Sequence, residues 1–366
     1  MIKVLVIDDS ALTRKLFGRV LSSESDFEVF LARDGLEGLE RLHTVKPDVV
    51  TLDINMPQMD GIACLNRIMI ERPCPVLMVS SLTREGAETT LEALRLGAVD
   101  FVTKPEGAVS LQMEVFAPRF VAKVRSVAGA KLKASLHLRE RVRHRIGGTA
   151  SPQHLTRGSR KTTTRAIGDG LVLVGTSTGG PPALEAVLAL LPSTFLWPLV
   201  IAQHMPASFT GPLARRLNDL CAIGVTELLR PTVLMPGCAY IGHGDADVVV
   251  LRRARSLMAM PVPAESGYPW HPSTDRLVRS AMEYVSPDQL IGVLMTGMGN
   301  DGAEAMTRLH ALGGRTIAEA EETAIVWGMP GELAKANGAD WILPLQQIAE
   351  QLKQLVPLHA SDPKHV

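Results

Sequence analysis

The sequence predicts an α/β protein built from two doubly wound parallel-sheet domains, and three features carry that expectation. Short apolar runs rich in Val, Ile and Leu alternate with stretches of helical period, first near the N-terminus and again after residue 170. Polar and charged residues stand just past those runs, where open parallel sheets place their sites. Between the two sets lies a basic, core-poor segment at residues 126–168. At 366 residues the chain exceeds one ordinary core. Residues 1–125 and 169–356 are therefore read as domains, 126–168 as a flexible linker and 357–366 as a tail.

In the first domain the strand-like runs are residues 4–7, 28–31, 49–52, 76–79 and 101–102. Their carboxyl ends carry Asp8 and Asp9, then Asp53, Ser80 and Lys104. Three converging carboxylates repel one another, so a hard divalent cation with oxygen ligands is expected among them. The linker runs from Lys123 and Arg125 through Lys131, Arg139 and Arg145 to Arg165, with Glu140 as its lone acid. It lacks a core pattern and aromatic residues, and reads as a solvated tether.

The second domain is organised around residues 171–180, LVLVGTSTGG. A buried strand leads into a glycine-rich turn, and Leu184, Val187, Leu188 and Leu191 then recur at helical spacing behind Pro181-Pro182. GTSTG satisfies the G-x-S-x-G nucleophile turn with Ser177 at its apex. A P-loop would need Gly-Lys-Ser/Thr where this chain has Gly-Gly-Pro. Taken alone, the stretch fits an ordinary strand-helix turn equally well. Two further strand-like runs, residues 198–203 and 290–295, end at His204 and at TGMGNDG with Asp301. If these strands are neighbours, the hydroxyl of Ser177, the base His204 and the orienting carboxylate Asp301 can meet. His243, in an expected hairpin turn, His271 and His310 are the competing histidines. Asp245, Asp247 and Asp275 are the competing carboxylates.

Net charge is zero, with 38 basic and 38 acidic residues, so nothing global points to nucleic acid or lipid. No run approaches a membrane span, and the start is too short and acidic for a signal peptide. The expected protein is cytoplasmic and not membrane-embedded. Its four cysteines, Cys64, Cys74, Cys221 and Cys238, form no CxxC pair and are expected as free thiols.

DDS, LDINMPQMDG, VSS and VTKP stand in the order of the flavodoxin-like response-regulator receiver domain, which residues 1–125 resemble. The resemblance implies that Asp53 accepts a phosphoryl group from a histidine kinase. Asp8, Asp9, Asp53 and the carbonyl of Asn55 would hold Mg²⁺, and Ser80 and Lys104 would read the phosphoryl oxygens. Phe101 would be the switch aromatic, and the Lys104–Pro105 bond would be cis.

GTSTGG, QHMP with SFTGPLARRL, PGCAYI, PSTD, MTGMGNDG and GMPGEL resemble the CheB family of chemotaxis protein-glutamate methylesterases, Rossmann-like serine hydrolases. That resemblance implies Ser177 as nucleophile, His204 as general acid-base and Asp301 as its orienting carboxylate. The Met298 amide and Thr178 hydroxyl would form the oxyanion site. Methyl-accepting chemotaxis receptors would be the substrate, through glutamyl methyl esters and, in some members, glutamines. No cofactor is implied for hydrolysis. The chain departs from the family at Thr176, where Ala is common, at Trp327, where Phe is usual, and at Tyr268-Pro269-Trp270-His271, where an Arg-containing segment is typical. Two other readings are a serine hydrolase acting on another ester and a non-catalytic binding output domain. A helix-turn-helix signal for the latter is missing.

Overall fold

The computed structural model describes residues 1–105, 109–130 and 170–356. Strands β1 (Ile2–Ile7), β2 (Phe27–Ala32), β3 (Val49–Asp53), β4 (Val76–Ser80) and β5 (Asp100–Thr103) form one parallel sheet in the order β2-β1-β3-β4-β5. β3 and β4 are buried along their whole length, because helices cover both faces. Each early helix starts where a small polar side chain caps its first turn. Ser10 caps α1 (Ala11–Ser22), Asp34 caps α2 (Gly35–Val45), Asp60 caps α3 (Gly61–Glu71) and Thr83 caps α4 (Arg84–Leu96). The last helix, α5 (Val109–Ala128), runs beyond residue 125 because Val124 and Val127 are fully buried against the sheet. Two of its basic residues make ion pairs within the domain: Lys123 with Asp100, and Arg125 with Asp26 and Glu24. The remainder of the expected linker, residues 131–168, the first residue of the expected second domain, 169, and the expected tail, 357–366, lie outside the described residues.

The second sheet has seven parallel strands in the order β15-β14-β13-β6-β7-β10-β8. These are β6 (Leu171–Thr176), β7 (Leu199–Gln203), β8 (Gly224–Leu228), β10 (Cys238–Gly242), β13 (Leu290–Leu294), β14 (Arg315–Glu319) and β15 (Trp341–Leu343). Both expected doubly wound sheets are present. Helices α6 (Gly180–Leu188), α7 (Ala207–Leu220), α8 (Thr274–Tyr284), α9 (Ala303–Ala311), α10 (Met329–Lys335) and α11 (Leu345–Leu355) connect and cover the strands. The chain leaves β6 toward β7 and later returns to its other side as β13. β6 is thus the topological switch point, where such sheets open a crevice at the strand ends.

A separate antiparallel sheet, β11 (Ala246–Arg253), β12 (Ser256–Pro263) and β9 (Thr232–Val233), was not anticipated from the sequence. It corrects the hairpin expected around His243: β10 belongs to the parallel sheet, so His243 lies on a crossing between sheets. Among the described residues no helix is long and apolar enough to cross a membrane.

The two domains pack directly on each other. α4 lies against α6 and α7, and apolar residues from both domains belong to one buried cluster. Leu91 and Leu94 face Leu213 and Leu217 across a small crevice. Phe101 stacks on Phe209 with centroids 4.3 Å apart. Arg216 reaches Glu92 at 3.5 Å, and Thr178 donates to Asp100 at 2.6 Å.

Candidate active site

The site is assembled by the carboxyl ends of three adjacent strands. β6 delivers Ser177, β7 delivers His204, and the loop between β13 and α9 delivers Asp301. Hydrogen bonds that span the sheet hold the serine turn. Thr296 accepts from the Ser177 amide and from the Thr176 hydroxyl, both at 3.0 Å, and its own hydroxyl donates to the Thr178 carbonyl at 2.9 Å. Thr176 thus supplies a clasp that an alanine there could not. Gln203 ties the serine turn to the histidine turn, donating to the carbonyls of Ser177 and His204. Gly179 has φ +77°, a left-handed conformation in which an added Cβ would press on Ile325.

His204 Nε2 lies 2.7 Å from Asp301 Oδ2, and both side chains are buried. Asp301 also accepts from the Ser273 hydroxyl and from the amides of Thr274 and Asp275. These amides belong to the start of α8, where orphan N–H groups and the helix dipole favour an anion. Burial pushes the Asp301 carboxyl up, but the His204 bond and charge together with the two amides outweigh it, and its pKa is lowered. The stabilisation is therefore present above the ordinary carboxylate range and is lost only as pH falls through the lowered value. Asp301 is anionic at neutral pH.

His204 Nδ1 is buried with no hydrogen-bond partner, and the Ser177 hydroxyl makes no hydrogen bond to it among the described residues. Ser177, Thr178, His204 and Met298 line one cavity of about 580 Å³. The Met298 amide has no hydrogen-bond partner among the described residues, whereas the Thr178 hydroxyl is engaged by Asp100 of the first domain. That domain roofs the cavity with Phe101, Lys104, Phe116 and Lys123.

The competing residues serve other contacts. His243 bonds Glu227, His271 bonds Asp247, and His310 lies beside Asp340. Asp245 accepts from the Ala207 amide, and Asp275 from the Ala305 amide. Sequence reasoning missed Thr296, Gln203 and the Ser273–Thr274 pair. For the last, a signal existed: Ser273 in PSTD precedes a helical pattern, as an N-cap does.

At the other site, Asp8, Asp9 and Asp53 place carboxylate oxygens within 4.8 Å of one another. Lys104 Nζ lies 2.8 Å from Asp53 and 3.0 Å from Asp8. Burial, then the Asp8 charge, raises the Asp53 pKa against the pull of Lys104 and the Asn55 amide. For Lys104, burial opposes the ammonium, but both carboxylates outweigh it and its pKa is raised. Residual negative charge on oxygen donors fits a hard cation such as Mg²⁺. Two family-implied details differ. Ser80 turns its hydroxyl to Gly86 and Thr90 of α4, so reaching Asp53 would mean exchanging those partners. The Lys104–Pro105 bond is trans; the cis bond among the described residues is His271–Pro272. The lysine meets both carboxylates without a cis bond.

The family model described as CheB methylesterase matches residues 172–352, and that of the response regulator receiver domain matches residues 4–116. Protein-glutamate methylesterase/protein-glutamine glutaminase 2 of Rhodopseudomonas palustris (strain BisB18) is 53% identical over 366 residues, covering 99% of this chain and 100% of that protein. This chain belongs to the CheB methylesterase family. Protein-glutamate methylesterase/protein-glutamine glutaminase 3 of Rhodospirillum rubrum is 50% identical over 353 residues, 96% of this chain and 95% of that one. The crystal structure of the Thermotoga maritima CheB methylesterase catalytic domain matches at 34% identity with TM-score 0.50, covering 51% of this chain and 98% of that one. The fold class and the hydrolase assignment drawn from the sequence agree with these relatives.

Gly297 gives the site a direct test. A Cβ there would lie 2.8 Å from Ser177 Cβ and press on Met329 Sδ. Gly297→Ala should therefore displace the nucleophile and lower kcat roughly 100-fold. Circular dichroism should show the fold retained, since overpacking costs about 1–3 kcal/mol.

Proposed function

We propose that this CheB-family protein is a phosphorylation-regulated carboxylic ester hydrolase that removes methyl esters from glutamyl side chains of chemotaxis receptors. The observation that carries the reading is the His204–Asp301 pair on one cavity with Ser177, at the switch point of a parallel sheet. The relatives, protein-glutamate methylesterase/protein-glutamine glutaminases, support glutamyl methyl esters of a protein as the substrate class.

In this reading Ser177 Oγ attacks the γ-ester carbonyl while His204 takes its proton at Nδ1, the nitrogen not bound to Asp301. The Met298 amide and Thr178 hydroxyl would hold the oxyanion, each such donor being worth roughly 3–4 kcal/mol in serine hydrolases. The imidazolium returns the proton to the departing methoxide, and methanol leaves. Water, activated by the same imidazole, then releases the glutamate carboxylate and free Ser177. Glutamine deamidation follows the same path with ammonia as leaving group.

In the receiver, Asp53 would take a phosphoryl group from the histidine kinase of the chemotaxis system. Asp8, Asp9, Asp53 and the Asn55 carbonyl would hold Mg²⁺, which when bound supplies neutralising charge for the phosphoryl oxygens. Control would be steric and local. β5 carries Asp100 and Phe101 at the domain contact and leads directly to Lys104 at the phosphorylation site. A phosphoryl group would change the partners of Lys104, loosen β5 from Thr178 and Phe209, and uncover the cavity.

Ser177→Ala should abolish methanol release from methylated receptor membranes, leaving phosphorylation of the receiver intact; near-normal turnover by that variant would refute the mechanism. Asp53→Asn should block label uptake from a small phosphodonor in Mg²⁺ and keep basal esterase activity. Label incorporated at the wild-type level would place the acceptor elsewhere. Asp100→Ala frees the Thr178 hydroxyl, and a charge-assisted hydrogen bond is worth about 1.5–3 kcal/mol. Unphosphorylated activity should therefore rise roughly 10-fold, as it should on removing residues 1–165. Slower turnover in both would mean that the receiver recruits substrate instead of shielding the site.

A further inference from the structure

The Trp270 indole lies parallel to the His204 imidazole, with ring centroids 5.7 Å apart and planes 11° from each other. Trp270 belongs to the loop between β12 and α8, and it is only half-buried. The loop is nonetheless held from both ends. Next to Trp270, His271 Nδ1 bonds Asp247 at 2.9 Å, and the fully buried Asp247 also accepts from Arg276 and the Ser273 amide. Ser273 in turn donates to Asp301. The indole also reaches the turn after Met298, since a Cβ on Gly299 would lie 3.4 Å from Trp270 Nε1. One side chain thus lies parallel to the imidazole, offset from it, and close to the turn after Met298.

We propose that Trp270 is a positioning residue for the hydrolysis, acting through His204; this rests on the hydrolase reading above. The stack keeps the imidazole in the orientation that leaves Nε2 on Asp301 and Nδ1 free for the Ser177 proton. It also favours the charged form. When the Ser177 O–H bond breaks and N–H forms at Nδ1, the ring becomes a cation beside a parallel indole whose centroid is 5.7 Å away, and an aromatic π-system at that range attracts a cation more strongly than a neutral ring. The preference arises only as charge develops, so it raises kcat without tightening substrate binding. Other charges surround the ring: Asp301 in contact, Asp245 and His271 on the cavity wall, and Lys104, Arg119 and Lys123 on the receiver side. None of them is an aromatic ring parallel to the imidazole.

The test compares full-length wild type with Trp270→Phe and Trp270→Ala, measuring methanol release from methylated receptor membranes. Trp270→Ala should lower kcat by roughly 2- to 30-fold, the range of a cation–π contact, with KM nearly constant. Trp270→Phe should fall between the two. A second readout needs no activity. Protonated imidazole quenches an indole stacked on it, so the emission difference between wild type and Trp270→Phe should fall on acidification. That step should vanish in the His204→Gln background and persist in His271→Gln. A raised KM with kcat unchanged would overturn the proposal, as would a fluorescence step lost in His271→Gln. If wild type itself releases no methanol, the hydrolase reading fails, and the fluorescence still decides whether Trp270 senses His204.

Discussion

A buried carboxylate has to be satisfied, and the arrangement of the second domain follows from how Asp301 meets that requirement. An uncompensated buried charge costs several kcal/mol, and breaking a buried pair by removing one partner costs about 3–5 kcal/mol. Asp301 collects His204, the Ser273 hydroxyl and two amides of a helix start, so its charge is shared among fixed donors. The imidazole, held at Nε2, then has Nδ1 as its free basic nitrogen. The same donors lock the start of α8, and through it the loop that carries Trp270.

The receiver uses the opposite tactic at the same cavity. Its Asp100 takes the Thr178 hydroxyl and the Lys123 ammonium, while Phe101 stacks on Phe209. Polar and aromatic contacts here sit on one strand that ends at Lys104. In the control proposed above, a change in charge at Asp53 would act on this contact through a single short element. The large apolar contact between α4 and α7 keeps the domains registered, whereas the Asp100 contact touches a group proposed for the chemistry.

Two aspartates, one fully buried and one nearly so, frame the loop between β12 and α8. Asp247 fixes His271 and Arg276; Asp301 fixes His204; Ser273 bonds both, giving its amide to one and its hydroxyl to the other. The Tyr268-Pro269-Trp270-His271 stretch beside the site therefore rests on a rigid polar frame.

The sequence by itself determined the two parallel sheets, the serine turn and the strand-end positions of Asp8, Asp9, Asp53, Lys104, Ser177 and His204. Those follow from local causes: apolar runs form strands, glycines and prolines end them, and the residue past each end faces the crevice. It also singled out Asp301 by its place after a third strand. Only the tertiary structure decided which side chains share a hydrogen bond. Thr176 and Thr296 meet across 120 residues, Asp100 and Thr178 across 78, and periodicity carries no trace of such pairs. The additional β11-β12-β9 sheet, the turning of Ser80 toward α4 and the stacking of Trp270 on His204 likewise depend on how packed elements meet. Strand ends are written locally, whereas contacts between distant segments are settled by the burial of charge and apolar surface over the whole chain.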